Sequence, residues 1–465
     1  MKGFELMEIT NATDSLLVDL YELTMAAGYF EQNYNPWVCF ELFIRDLPPN
    51  RNFLIAAGLE QVINYVTHLS FNQDQIEYLR SLSNFKYISD DFFRYLHNFS
   101  FSGNLYGVPE GTVVFNDEPL IQVEAPLLEA QILETYLLSA INFQTMVASK
   151  SARIYLAATS DGKKQRGVME FGSRRAHGPQ AGVLAARASY IGGFIGTSNV
   201  LAGKLYQIPV YGTTAHSWTM AFNDEITAFQ RNYEIYKEDT IFLVDTYDTE
   251  TGILNALKVS LDFKGIRIDS GNLIEEAKKA RRILDEQGLD KIMILLSGDL
   301  NEYKIDEMIQ EGTPVNAFGV GTQVATSYDA PTLQGVYKLV ELTDEKGTHY
   351  RAKFSPDKIS YPGRKQVWRF FDKNSIMNHD LIALNDEDFS SEAESLIQCQ
   401  IENGQRVQKQ VSLVSIQQRT KKNLSMLPES LKHLRSDHPY SIKVSKTLKT
   451  LLNQLQNQVQ NITHD

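Results

Sequence analysis

Cysteine is scarce: the 465 residues contain two, Cys39 and Cys399, far apart in the chain. That excludes a disulfide framework and offers no zinc-ligand spacing, so a reducing compartment is expected. Long apolar runs are missing too. No uncharged stretch approaches the length needed to cross a bilayer. Met1 to Thr10 shows no apolar core followed by a small-residue cleavage site. The expectation is a cytoplasmic protein without a membrane partner. Positive charge is in deficit, with 45 Lys and Arg against 57 Asp and Glu and a formal net charge of -12. This balance argues against general nucleic-acid binding, and an anionic substrate would need locally placed arginines. Low-complexity tracts and short repeats are absent. So are lysines at the strand ends described below, which disfavours aldolase-type Schiff-base chemistry.

What is present is an ordinary globular composition, 43% hydrophobic and 22% charged, long enough for two or three domains. Leu16 to Ala27 carries apolar residues at helical spacing and predicts a helix with Asp19 and Tyr21 near its start. Trp37 to Arg45 predicts a strand, Gly103 to Pro126 a small unit of short strands, and Leu127 to Leu156 one long helix. From Gly167 a pattern repeats in which a short apolar run ends in glycine, a hydroxyl or an acid, and a helical stretch follows. The runs end at Glu170-Phe-Gly172, Phe194-Ile-Gly-Thr197, Val210-Tyr-Gly-Thr213, Val244-Asp-Thr246, Ile268-Asp-Ser270, Leu296-Ser-Gly298 and Phe318-Gly-Val-Gly-Thr322. Seven such units predict parallel β-α repeats that close, or nearly close, into a barrel, with an open doubly wound sheet as the alternative.

The rhythm stops after about Leu342. Lys346 to Asp372 predicts turns and short strands, and Leu448 to Ile462 predicts a terminal docking helix with a solvated polar face. The expected fold is therefore α/β: an N-terminal α+β domain over residues 1–150 and an irregular or incomplete parallel β/α barrel over 151–342. A C-terminal segment, 343–465, is expected to return to the first domain and end in a helix.

Chemistry in such a fold belongs at the C-terminal ends of the strands. Ile208-Pro-Val-Tyr-Gly-Thr-Thr-Ala-His-Ser-Trp218 delivers His216 there among Thr213, Thr214 and Ser217. An imidazole in that position can act as a base, bind a metal or accept a phosphoryl group. Glu170-Phe-Gly-Ser-Arg-Arg-Ala-His-Gly178 places Glu170 beside Arg174 and Arg175, whose planar forks suit a phosphate or carboxylate; the alternative is an exposed basic turn. In Gly265-Ile-Arg-Ile-Asp-Ser-Gly-Asn272 the side chains of Arg267 and Asp269 share one strand face. Arg267 can meet an anionic group and Asp269 can hold ribose hydroxyls or magnesium, or the two can form a structural ion pair. Gly319-Val-Gly-Thr322 is a candidate phosphate loop, with Gly319, Gly321 and Thr322 as donors, or simply a tight turn. Asp245 is expected to cap the next helix, with support of His216 as the second choice. Tyr21 has the spacing of a core aromatic.

Together these segments resemble the nicotinate phosphoribosyltransferase family of the type II phosphoribosyltransferase class. The resemblance rests on Asp19-Leu-Tyr-Glu-Leu-Thr-Met25, Phe40-Glu-Leu-Phe-Ile-Arg45 with Gly58-Leu59, Glu170-Phe-Gly-Ser-Arg-Arg175, Gly212-Thr-Thr-Ala-His-Ser217, Ile268-Asp-Ser-Gly271 and Gly319-Val-Gly-Thr322, in the family's order. It implies conversion of nicotinate and phosphoribosyl pyrophosphate into nicotinate mononucleotide and pyrophosphate in NAD salvage, with ATP hydrolysis coupled and Mg2+ required. His216 would be transiently phosphorylated, with Asp269 and Glu170 as its catalytic companions. Thr213 would contact nicotinate and Arg267 would pair with its carboxylate. Tyr21 would stack on the ring from a neighbouring subunit of a homodimer. Thr322, Gly319 and Gly321 would hold the 5-phosphate, and Arg174 and Arg175 would face pyrophosphate or carboxylate. The magnesium ligands are left unassigned. Val18 stands where the family commonly has threonine, and Asn272 where an acid is common. Nicotinamide phosphoribosyltransferase and a non-catalytic metabolite-binding barrel are the competing readings; quinolinate phosphoribosyltransferase, without ATP coupling, fits less well.

Overall fold

The computed structural model describes residues 15–162, 166–355, 360–435 and 438–462. Two compact units emerge: residues 1–146 with 332–465, and residues 147–331.

The first unit is built on an antiparallel sheet in the order Gly347–Tyr350, Gly335–Asp344, Trp37–Ile44, Pro119–Pro126, Asn104–Gly107, Gln398–Glu402 and Gln405–Arg406. Three N-terminal strands thus lie together, flanked on both sides by C-terminal ones, in one hydrogen-bonded surface. The strand Trp37–Ile44 is buried at every position after Trp37 rather than on alternate residues. Both its faces are covered, which is why its sequence is almost continuously apolar. Its one charge, Glu41, is matched by Lys365 Nζ at 2.6 Å, both nearly inaccessible, and accepts from Gln122 Nε2 at 2.8 Å; without those partners a buried carboxylate would be costly. A second sheet, Glu394–Ser395, Lys365–Phe371, Met377–Leu384 and Ile442–Val444, belongs to the same unit.

The expected first helix spans Leu20–Glu31. The long helix expected over Leu127 to Leu156 is two, Leu127–Gln131 and Glu134–Ala158. The terminal helix runs over Lys446–Ile462.

The second unit carries six parallel strands in the order Gly196–Thr197, Gly167–Glu170, Ala317–Val320, Met293–Leu296, Gly265–Ile268 and Ile241–Leu243. The chain here is an α/β structure on a parallel sheet. Of the seven runs expected, Val210 contributes only an isolated parallel bridge to Thr197. Pro209 has no N–H to give a ladder, so pairing is limited to the Pro209 carbonyl accepting from Thr197 N and Tyr211 N donating back to Thr197 O. Helices begin with a polar cap soon after the strand ends: Asp248 accepts from Thr251 N at 2.9 Å, and Asn301 from Lys304 N at 3.0 Å. Asn272 caps Leu273–Glu286 in the same way.

Candidate active site

The strand Gly265–Ile268 points Arg267 and then Asp269 into the space above the sheet's C-terminal edge, and the two meet. Arg267 donates from Nη2 to Asp269 Oδ1 at 2.7 Å, from Nε to Ser297 Oγ at 2.8 Å and from Nη1 to Thr213 Oγ1 at 3.0 Å. Ser297 Oγ donates in turn to Asp269 Oδ1 at 2.5 Å. Burial by itself would raise the Asp269 carboxyl; the Ser297 hydrogen bond and the Arg267 charge outweigh it, and the net effect holds it below the usual range. The face of Phe171 lies 5.8 Å from the Arg267 guanidinium carbon.

His216 opens the short helix His216–Met220. Its Nε2 is 3.7 Å from Asp269 Oδ2, and its Nδ1 is 3.2 Å from Thr246 Oγ1. The imidazole is thus held on one nitrogen and faces a carboxylate with the other, and it stays accessible. The structure therefore brings Thr213, His216, Arg267 and Asp269 into one cluster.

Asp245 lies underneath. Its Oδ2 accepts from Asp269 N at 2.8 Å and from Ser270 Oγ at 2.6 Å. The helix that follows is capped by Asp248, so the expectation that Asp245 caps it is corrected: Asp245 is a brace for the Asp269 loop. Its Oδ1 is buried and has no hydrogen-bond partner.

Glu170 ends the neighbouring strand, fully buried. One of its oxygens accepts from Thr197 Oγ1 at 2.6 Å and the other from Gly172 N. Burial raises this carboxyl against the pull of those two hydrogen bonds. Its bonds go to the turn after its own strand and to the adjacent strand, not to the Arg267–Asp269 pair.

Arg174 and Arg175 sit in the single turn Ser173–Arg175 and are exposed. The Gly319–Thr322 loop packs against the residues that lead into this turn: Val320 pairs with Glu170 and Phe171 N donates to Val320 O. Glycine is required here: a Cβ on Gly319 would meet the Phe171 ring at 2.5 Å, and one on Gly172 would meet the Gly321 carbonyl at 2.7 Å. Thr322 begins the one-turn helix Thr322–Ala325.

Tyr21 belongs to the first unit, half-exposed on Leu20–Glu31. Burial and the nearby Glu134 carboxylate raise its phenol above the ordinary range. Beside it Glu22, buried, is pushed up to about 7 by burial, against hydrogen bonds from Thr135.

Sequence reasoning missed three contributors: Ser297, Thr246 and Phe171. Each stands at a strand end among the seven runs, so position was the available signal. Ser297 also precedes Gly298, whose φ of +105° and whose Cβ, only 2.2 Å from the Asp269 carbonyl oxygen, admit no other residue without movement. No group of three or more His, Cys, Asp or Glu side chains suited to a metal occurs among the described residues.

A parallel α/β unit with an arginine, an aspartate and an accessible histidine converging at its strand ends defines an enzyme class that handles anionic substrates at that edge. Three family models match the chain: the nicotinate phosphoribosyltransferase N-terminal domain over residues 16–142, the nicotinate phosphoribosyltransferase family over 167–356 and its C-terminal domain over 389–452. The chain belongs to the nicotinate phosphoribosyltransferase family. Among its relatives are nicotinate phosphoribosyltransferase pncB2 of Mycobacterium tuberculosis, 38% identical over 447 residues that cover 94% of this chain and 93% of that one. The Bacillus subtilis nicotinate phosphoribosyltransferase is 38% identical over 464 residues, covering 93% of each. The crystal structure of human nicotinic acid phosphoribosyltransferase superposes with a TM-score of 0.82 at 27% identity, covering 94% of this chain and 99% of that one.

Proposed function

We propose that the chain is a nicotinate phosphoribosyltransferase that joins nicotinate to phosphoribosyl pyrophosphate, releasing nicotinate mononucleotide and pyrophosphate, with ATP hydrolysis coupled through a phosphohistidine on His216. The observation that carries this reading is the Arg267 cluster. A guanidinium has five N–H donors, of which three are spent on Ser297, Thr213 and Asp269. Two remain, enough for the carboxylate of nicotinate beside the Phe171 ring. An acceptor-only carboxylate suits that arrangement, whereas the NH2 of nicotinamide would face donors. The prediction is a kcat/KM for nicotinate at least about a hundredfold above that for nicotinamide, the equivalent of two charged hydrogen bonds at 1.5 kcal/mol or so each. Equal turnover of the two bases would reassign the pocket.

The ribose C1 centre gains positive charge as pyrophosphate departs. Asp269, ionised and oriented by Ser297 and Asp245, would steady it, while Arg174, Arg175, Thr322 and the Gly319 and Gly321 backbone would meet phosphate oxygens. Glu170 acts through position, tying the basic turn to the adjacent strand. Phosphorylation of His216 would add negative charge beside Asp269, 3.7 Å from the imidazole Nε2, which a bound divalent cation would offset. Of the residues present, Asp269 and the unpartnered Asp245 Oδ1 would be the oxygen donors for magnesium. When bound, it neutralises leaving-group charge.

We read the parallel sheet as an incomplete barrel. Counting from the Val210 bridge, five strand spacings of roughly 4.8 Å, about 24 Å in a flat sheet, separate the Thr213 segment from the Arg267 strand. The 3.0 Å bond between these residues supports a sheet that curls round.

We also read the enzyme as a cytoplasmic homodimer. Its two cysteines are free thiols; no helix among the described residues is long and apolar enough to cross a membrane. Leu17, Leu20, Tyr21 and Met25 form an exposed apolar face, suited to a second copy whose base Tyr21 would cover. If so, Tyr21→Ala and His216→Ala, each inactive alone, regain activity when unfolded and refolded together, since mixed dimers contain one intact site. Absence of rescue would rule out the shared site.

A further inference from the structure

Toward the opposite, N-terminal ends of the same strands the second unit carries a pocket that is open to solvent on one side, where Val210, Tyr211 and Ile195 are exposed. A cavity of about 330 Å³ runs up the inner face from Asp239, Lys264 and Asn316 to the underside of Phe171 and Thr213. Small residues that begin three strands, Gly167, Gly265 and Ala317, are part of its lining. The walls that remain are apolar, with Met169, Ile195, Val210, Ile241, Met293 and Leu295, and the two methionines can adjust to an occupant's shape.

The charges of the lining are at the mouth and are mutually satisfied: Lys264 Nζ and Asp239 Oδ1 are 2.8 Å apart. Asn316 uses its Oδ1 to accept from Ile294 N at 2.8 Å, which leaves its Nδ2 to donate. An ion entering the apolar stem would lose its hydration without a partner. A neutral occupant loses nothing comparable. An apolar cavity of about 150 Å³ holds benzene; one of twice that volume accommodates two fused aromatic rings.

We propose that this cavity is a binding site for a neutral bicyclic aromatic molecule, and that its occupant weakens nicotinate binding. The second clause rests on the reading of Arg267 given above. The coupling is steric. Phe171 and Thr213 form the end of the cavity, and the same two residues touch Arg267, one across its ring face at 5.8 Å and the other through the 3.0 Å hydrogen bond. An occupant that presses on either turns the guanidinium away from the carboxylate.

Indole is the probe, titrated into the full-length protein with thermal denaturation and equilibrium binding as readouts. Millimolar indole is expected to raise the melting temperature, and to raise the KM for nicotinate severalfold while leaving that for phosphoribosyl pyrophosphate unchanged. Ala317→Leu, and independently Ile241→Phe, fill the cavity from residues outside the site and should weaken indole binding at least about tenfold. Each should keep the nicotinate KM of the intact protein. The proposal is overturned if the intact protein does not bind indole, or if binding survives both substitutions unchanged. Binding without any change in nicotinate KM refutes the coupling. Failure of the protein to turn over nicotinate at all sinks the earlier reading instead, and leaves the binding arm to decide the cavity.

Discussion

In the proposed function, Arg267 is the residue on which the substrate preference turns. Lysine keeps the charge but loses the planar fork that spans Ser297, Thr213 and Asp269. Arg267→Lys should therefore raise the nicotinate KM about ten- to a hundredfold, or roughly 1.4 to 3 kcal/mol, with a much smaller effect on phosphoribosyl pyrophosphate; equal loss for both would mean that Arg267 does not select the base. Glu22 makes a prediction of opposite kind. Its folded pKa is pushed up to about 7 from an unfolded value near 4.3, so the folded state binds the proton more tightly. Stability should fall as pH rises from about 4 through 7 and level off above. Glu22→Gln, which keeps an acceptor for Thr135, should remove that fall and melt higher than the parent at pH 8; a lower melting temperature there would show that Glu22 is ionised and stabilising. At this scale the sequence was informative where a side chain had few alternatives. Thr213, His216, Arg267 and Asp269 stood out by chemistry and position. Ser297 and Thr246 did not, because a serine or threonine after a strand is commonplace and acquires meaning only through what it touches.

Among the elements, the strand ends and the helix starts divide the acidic residues between two tasks. Asp248 holds Thr251 N, whereas Asp245 holds Asp269 N and Ser270. Asp248→Ala should cost about 1 kcal/mol of stability and leave turnover intact. Asp245→Asn should do the reverse, lowering kcat with little change in melting. A similar outcome for both in denaturation and kinetics would erase the distinction. Gly298→Ala forces a side chain into the Asp269 carbonyl and should cost on the order of 1–3 kcal/mol. The parallel strands were legible from their apolar runs and turn residues. The weak seventh run was not, since Pro209 leaves only a bridge, nor was the helix break between Gln131 and Glu134, which no proline or glycine announces.

For the whole molecule, long-range pairing was the least legible feature. Gly167–Glu170 lies between Gly196–Thr197 and Ala317–Val320, a pairing across some 150 residues that local periodicity does not encode. The same holds for Gly335–Asp344 returning to Trp37–Ile44. Thr213 reaches Arg267, and His216 reaches Asp269, from segments far apart in the strand order, so the site depends on the complete second unit.

In the proposed function this cluster couples ATP hydrolysis at His216 to nicotinate transfer. The most direct measurement is nicotinate mononucleotide formation from nicotinate and phosphoribosyl pyrophosphate, with and without ATP, in the intact protein and in His216→Ala. The account predicts ATP stimulation and stoichiometric ATP hydrolysis in the intact protein, both abolished by the substitution. ATP-stimulated turnover that persists in His216→Ala would contradict it.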